Sequence, residues 1–260
     1  MKKFLILISL ATFLLSSCSK DAELQVIAEG DGKATLTFDA VVGSADFALD
    51  KDFTVGSKTW NFTQLRYWVS NVFLVKANGE EYAIPNSFYL IEENKAAETN
   101  STFLYPANKR ESVELSGIPA GEYKSIRFSV GVPERFNNNL SLQAGELSQL
   151  NGMTNVSWMW ATSYIFSSLK GKVTEAAVTK TIAVETGLNA NFKTVSLNLP
   201  KAVKIGSTKA TTILLNADVS KVTDGVDIMT TPTVGATQAA VMANVAGNYG
   251  GKVFTVKSAQ

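Results

Sequence analysis

Apolar and polar residues alternate with a period of two along much of the chain. Leu36 and Phe38 alternate with Thr35, Thr37 and Asp39 in residues 34–39. Ile126, Phe128 and Val130 alternate with Arg127 and Ser129, and Val195, Leu197 and Leu199 with Thr194, Ser196 and Asn198. That period puts alternate side chains on opposite faces of a strand. Residues 65–75 are rich in the aromatic and β-branched side chains that favour strands. Residues 87–91 read as a buried edge behind Pro85, and 113–115 as a strand leading into a turn at Gly117-Ile118-Pro119-Ala120-Gly121. Further strands are expected at 211–217 and 252–256. Helix is scarce. Residues 141–150 fit a short one, and 235–248 fit a second, with Ala239, Met242, Ala243 and Ala246 near one stripe. Many short strands parted by turns predict an all-β chain, a single β-sandwich of immunoglobulin-like or Greek-key type with one or two short helices.

The start of the chain has a different pattern. Lys2 and Lys3 precede an unbroken apolar run over residues 4–15, which closes on Ser16, Ser17 and Cys18. The run is shorter than the about 20 residues that span a bilayer. A basic start, an apolar stretch and small residues before a cut are the marks of a secretory signal peptide. The Leu15-Ser16-Ser17-Cys18 ending resembles a bacterial lipobox, in which cleavage precedes a cysteine that then carries lipid. The expected division is a signal peptide at 1–17, a lipidated tether at 18–32 ending in a turn at Gly30-Asp31-Gly32, and the sandwich at 33–257. Ser19 in place of an acid resembles outer-membrane sorting, and Lys20, Asp21, Ala22 and Glu23 leave both periplasmic and surface-facing placements open.

Composition narrows the chemistry. The chain has 24 basic and 23 acidic residues, and loss of Lys2 and Lys3 leaves it near neutral. Such a balance argues against nucleic acid as a partner. Cys18 is the only cysteine, so once it is lipidated the body has no disulfide and no thiol ligand. Histidine is absent altogether. Ser-His-Asp triads, Cys-His pairs and His-based zinc sites are therefore excluded. What remains for catalysis is carboxylates, Lys, Tyr or an oxygen-ligated metal. No cofactor motif is present.

Several segments, in order, resemble a family of bacterial envelope proteins, the MbnP-like family. They are Leu36-Thr37-Phe38-Asp39-Ala40-Val41-Val42-Gly43, Leu65-Arg66-Tyr67-Trp68-Val69-Ser70-Asn71-Val72, Pro119-Ala120-Gly121-Glu122-Tyr123, Phe128-Ser129-Val130-Gly131-Val132 and Trp158-Met159-Trp160-Ala161-Thr162-Ser163-Tyr164-Ile165-Phe166. Phe192-Lys193-Thr194-Val195 and Ala243-Asn244 also fit. The resemblance implies a β-sandwich that binds copper in some members through histidines, in some cases beside a tryptophan oxidised to kynurenine. This chain departs at those histidines. It has Ala40 where the family often has F-D-H, Glu185 where it has H-x-G, and Thr233 or its neighbours where a third histidine precedes the last helix. Copper binding is therefore not expected to carry over.

No metal ligand set stands out; Glu185 alone is a candidate. With Asp39, Asp46, Asp50 and Asp52 it offers the oxygen donors that suit calcium, as do Asp218, Asp224, Gly225 and Asp227 in a loop, without EF-hand spacing. Trp158 and Trp160 face one side of a strand and Met159 the other, so the three do not meet one ion. Tyr67, Trp68, Tyr164 and Phe166 read as core. Two functions follow. One is a non-enzymatic binding lipoprotein, held to the membrane through Cys18 and engaging a protein or glycan partner. The other is a carboxylate-based envelope hydrolase acting on glycans. Convergence of Asp39, Glu185, Asp218 and Asp227 in one hollow would favour the second.

Overall fold

The computed structural model describes residues 31–99, 103–155, 163–206 and 209–260. Strands dominate, in the order β1 (Asp31–Val42), β2 (Ala45–Asp46), β3 (Asp52–Val55), β4 (Lys58–Lys76), β5 (Glu81–Ala83) and β6 (Phe88–Asn94). Then come β7 (Ala97–Thr99), β8 (Phe103–Tyr105), β9 (Asn108–Arg110), β10 (Ser112–Pro119) and β11 (Gly121–Val130). Helix α1 (Glu134–Asn137) precedes β12 (Thr154–Asn155), β13 (Ser163–Glu175), β14 (Val178–Gly187), β15 (Lys193–Ile205), β16 (Thr211–Asp218) and β17 (Thr233–Val234). Helix α2 (Ala239–Gly251) and β18 (Phe254–Ala259) close the chain.

Two sheets form an all-β sandwich. The smaller runs β10-β1-β16-β18, with β2 beside β1; the larger runs β15-β11-β4-β13-β14-β17, with β3, β5, β6 and β12 attached and β9 on β6. Most pairings are antiparallel, but β1 runs parallel to β16. Between the sheets lies the main core. Leu36, Phe38, Ala40, Leu115 and Leu215 of the smaller sheet meet Tyr67, Val69, Phe128, Leu169 and Val184 of the larger. At its centre Phe38, Phe128 and Phe254 pack edge to face, with ring centroids 5.2–5.9 Å apart, the geometry that aromatic quadrupoles prefer.

β4 is the spine of the larger sheet. Leu65, Tyr67 and Val69 point into the main core, then the inward positions change parity to Val72 and Leu74. The change coincides with a bulge, where Ser129 pairs with Ser70 and Arg127 with Phe73. An extra residue on one strand has this effect, and Asn71 absorbs it at φ +49°, a left-handed conformation that asparagine tolerates. Trp68 points the other way, into a second apolar cluster with Leu90, Val132, Leu147, Met153, Tyr164 and Phe166. That cluster is roofed by the chain after β11. Gly131 starts the roof at φ +114°, with no room for a Cβ, which would lie 2.5 Å from the Phe166 ring.

Several local expectations change. Asp31 and Gly32, read as the turn ending a tether, pair with Pro119 and Ile118, so β1 begins two residues before the expected boundary. The expected turn at 117–121 is tighter, with Gly117, Ile118 and Pro119 still in β10. The buried edge expected at 87–91 falls in β6, where residues 88–91 pair with β4 and the strand gains β9 only further on, at Glu92, Glu93 and Asn94. Residues 141–150 form turns rather than a helix. Asn139 Oδ1 accepts from the Ser141 amide and hydroxyl, and Gly145 has φ +52°. Such side-chain bonds compete with helix, and a short helix, α1, forms just upstream instead. α2 starts later than 235, because Gly235 donates to the Gln238 side chain and residues 236–238 make a 3-10 turn. The last strand spans Phe254–Ala259 rather than 252–256.

Candidate functional site

The acids singled out by sequence do not converge. Asp39 pairs with Lys257 at 2.6 Å, Asp50 with Lys95 at 2.6 Å and Asp224 with Lys252 at 2.7 Å. Asp52 accepts from Asn61 at 2.7 Å, and Asp46 is exposed on the two-residue β2. Asp218 accepts from Ser220 and from the Gly43 amide. Asp227 caps a turn through Met229 and Thr230, and the Thr230 hydrogen bonds lower its pKa. The Lys252 contact does the same for Asp224. Gly225 takes φ +75°, and its carbonyl accepts from Asn244. Among the described residues no three acids gather as a metal cage would require. Cys18, Trp158, Met159 and Trp160 lie outside the described residues. Tyr67, Trp68, Tyr164 and Phe166 are fully buried, as expected.

What the structure does assemble is a polar row across the outer face of the larger sheet. Cross-strand register pairs Arg110 with Glu92, Glu92 with Arg66, Arg66 with Ser168, and Ser168 with Glu185. Residues directly opposite in antiparallel strands share a face, so five side chains stand in line over about 19 Å. Arg66 and Glu92 are nearly water-free, at 5% and 3% exposure, and meet Nε to Oε2 at 2.8 Å. Glu92 Oε1 also accepts from the Tyr105 hydroxyl at 2.6 Å and from Asn108 at 2.7 Å. The Arg66 guanidinium lies 4.6 Å from the Tyr105 ring centroid, a cation–π contact. Burial and the Glu92 hydrogen bond push the Tyr105 phenol up to about 12. Beyond it, Arg110 forms a two-pronged pair with Glu146, at 2.5 and 2.7 Å, and Glu146 accepts the Leu90 amide. This fork ties residues 144–147 down onto β6.

Two hollows flank the row. One, of about 260 Å³, is lined by Glu92, Tyr105, Asn108, Arg110, Glu146 and Ser148. The other, of about 290 Å³, joins Lys170 and Glu185 to Thr233, Gly235 and Gln238. Here Glu185 is engaged by Lys170 at 3.3 Å and by the Ser168 hydroxyl at 3.2 Å, and Ser168 accepts in turn from Gln64. Sequence reasoning missed Arg66, Glu92, Tyr105, Asn108, Arg110 and Glu146. The available signal was Arg66 and Glu92 inside otherwise apolar strands, since charges are almost never fully buried unless paired.

The model of the MbnP family matches residues 31–242 of the chain. The protein belongs to the MbnP family. Among solved structures, MbnP from Methylosinus trichosporium is similar at 17% identity and a TM-score of 0.45, over 74% of this chain and 80% of that one. No curated protein matches. At the MbnP positions where histidines were expected, this chain brings no common centre together. Ala40 is buried in the main core, and its amide donates to Glu111, whose carboxyl pKa burial raises. Glu185 follows the core residue Val184 on β14 and so faces the opposite side of the sheet. Thr233 lies in the hollow with Glu185, so of the three positions only these two meet. A hydroxyl, a lysine-paired carboxylate and a methyl group do not make the nitrogen or sulfur set that suits copper.

Proposed function

We propose that the protein is a bacterial envelope lipoprotein with a non-enzymatic binding role, anchored through a lipid on Cys18. The anchor rests on the basic start, the apolar run and the Leu15-Ser16-Ser17-Cys18 ending. Two acyl chains hold such a protein stably, at about 0.8 kcal/mol per buried methylene. Among the described residues no helix is long and apolar enough to cross a membrane. The observation that carries the binding role is that every carboxylate lining the two hollows is closed off by a basic partner: Glu92 by Arg66, Glu146 by Arg110, Glu185 by Lys170. A hydrolase would need carboxylates free to move protons. The placement is the outer membrane, facing the periplasm or the surface. No cofactor is part of the reading.

Membrane fractionation with mass analysis of the N-terminal peptide tests the anchor. The native protein sediments with membranes and carries lipid on Cys18; Cys18→Ala stays unprocessed or is released. A Cys18→Ala protein still cut and still bound would overturn it. Copper titration of the purified protein is expected to show no tight, stoichiometric site.

The glycan-hydrolase reading draws on one observation, that Glu92 and Glu146 line the same hollow. Sugar release from an oligosaccharide would favour it.

A further inference from the structure

We infer that the hollow over Glu92 takes a neutral, polyhydroxylated ligand, a single sugar ring of a glycan. This rests on the binding role proposed above. Its volume, about 260 Å³, lies just under the ~300–1,000 Å³ usual for small-molecule pockets, so it admits one ring rather than a chain.

Charge sets the ligand class. The three charged residues lining the hollow are all paired, Glu92 with Arg66 outside the lining and Arg110 with Glu146 within it. An anion or a cation would have to open one pair and strand its other half, which costs most at the nearly water-free Arg66–Glu92 pair. A neutral ligand leaves both pairs intact and uses what they have left over. Glu146 Oε1 accepts one bond, from Arg110, and a carboxylate oxygen has two lone pairs. A hydroxyl both donates and accepts, so one group type can serve that remaining lone pair and the amide and hydroxyl groups beside it. Asn108, Ser148 and the Tyr105 hydroxyl add polar contacts at the wall.

The apolar side of a sugar ring has a match as well. Leu90 and Leu150 line the same hollow, and Leu150 is 59% exposed, so a ring can lay its C–H face on leucine while its hydroxyls reach the forks.

Calorimetric titration of the full-length protein in detergent tests this, with glucose, galactose, mannose and N-acetylglucosamine, and with glucuronate and glucosamine as charged counterparts. At least one neutral sugar binds saturably and its charged counterpart at least about tenfold more weakly. Asn108→Ala weakens that binding by about 2- to 10-fold, the loss of one hydrogen bond. Ser148→Trp fills the hollow and abolishes it; a second filling variant, Ser148→Phe, guards against misfolding, with melting temperature as the check. No saturable binding by any of the four neutral sugars, tighter binding of a charged counterpart, or unchanged affinity in both folded filling variants would overturn the ligand class. Sugar binding followed by glycosidic cleavage supports the ligand class and overturns only the non-enzymatic reading.

Discussion

Tyr67 and Arg66 are neighbours on β4, at 1% and 5% exposure, on opposite faces of one sheet. Tyr67 enters the main core, where Phe38 and Phe254 pack edge to face with it at 6.2 and 5.7 Å. Its face is held by apolar burial, which is non-directional and tolerates adjustment. Arg66 enters the polar row, where each group depends on a few specific partners. The two faces therefore differ less in burial than in what happens when a piece is removed. The inner face loses packing in proportion to the atoms lost. The outer face loses a partner and keeps an uncompensated charge. A surface that must present hydrogen-bonding groups in a set geometry is better served by the second kind of order, and both hollows lie there.

The largest expected effect comes from breaking that outer order. Glu92→Ala leaves the Arg66 guanidinium buried and alone, at a cost of about 3–5 kcal/mol. Replacing both partners, Arg66→Met with Glu92→Leu, recovers most of the loss, since apolar residues of similar volume substitute well for a buried pair. Urea denaturation of the three proteins reads the difference. If the double variant is as unstable as the single, the pair is not the organising element of that face.

Smaller, and local, is the effect of Leu147→Ala in the second cluster, about 2 kcal/mol at the low end of leucine truncations, because the roofing turns can settle inward. Hydrogen exchange should quicken in the turns over β6 and leave the amides of β1 and β16 protected. Global exchange would mean the second cluster is continuous with the main core.

The mildest perturbation is alkaline pH. Burial raises the phenol pKa of Tyr67 and Tyr249, and Tyr105 is raised to about 12 from an ordinary 10.0. A group whose pKa rises on folding stabilises the protein below its unfolded value and loses that contribution as pH climbs through the folded one. Stability is thus level up to about pH 10 and falls above it, with Tyr105→Phe removing the part of that fall owed to the outer face. Melting temperature against pH, for both proteins, checks it.

Sequence pattern was enough for the sandwich, because inward residues repeat at every second position and the faces are consistently apolar. Phe38, Phe128 and Val195 sit where alternation put them. The bulge near Asn71 was not legible: the run from Leu65 to Val75 is apolar on both faces, so no alternation marks the change of parity. The turns at 141–150 were misread because their decisive contacts are Asn139 with Ser141 nearby and Arg110 with Glu146 across 36 residues, and the second kind leaves no periodic trace. Glu185 was picked out for its place in a family pattern, yet its neighbours Lys170 and Ser168 come from β13, a register that only pairing reveals. The residues of the first hollow come from strands and turns apart in the chain, joined by cross-strand partnerships that single-chain spacing does not encode.

The described part of the roof over the second cluster leaves β11 at Val130 and runs to β12, which pairs with β13, and β11 and β13 both pair with β4. The two strands that carry it thus lie about 10 Å apart, two strand spacings, on a frame whose own packing is completed on the opposite side. Such a stretch works like an interchangeable cassette: its length and lining can be rewritten while the sandwich beneath folds as before.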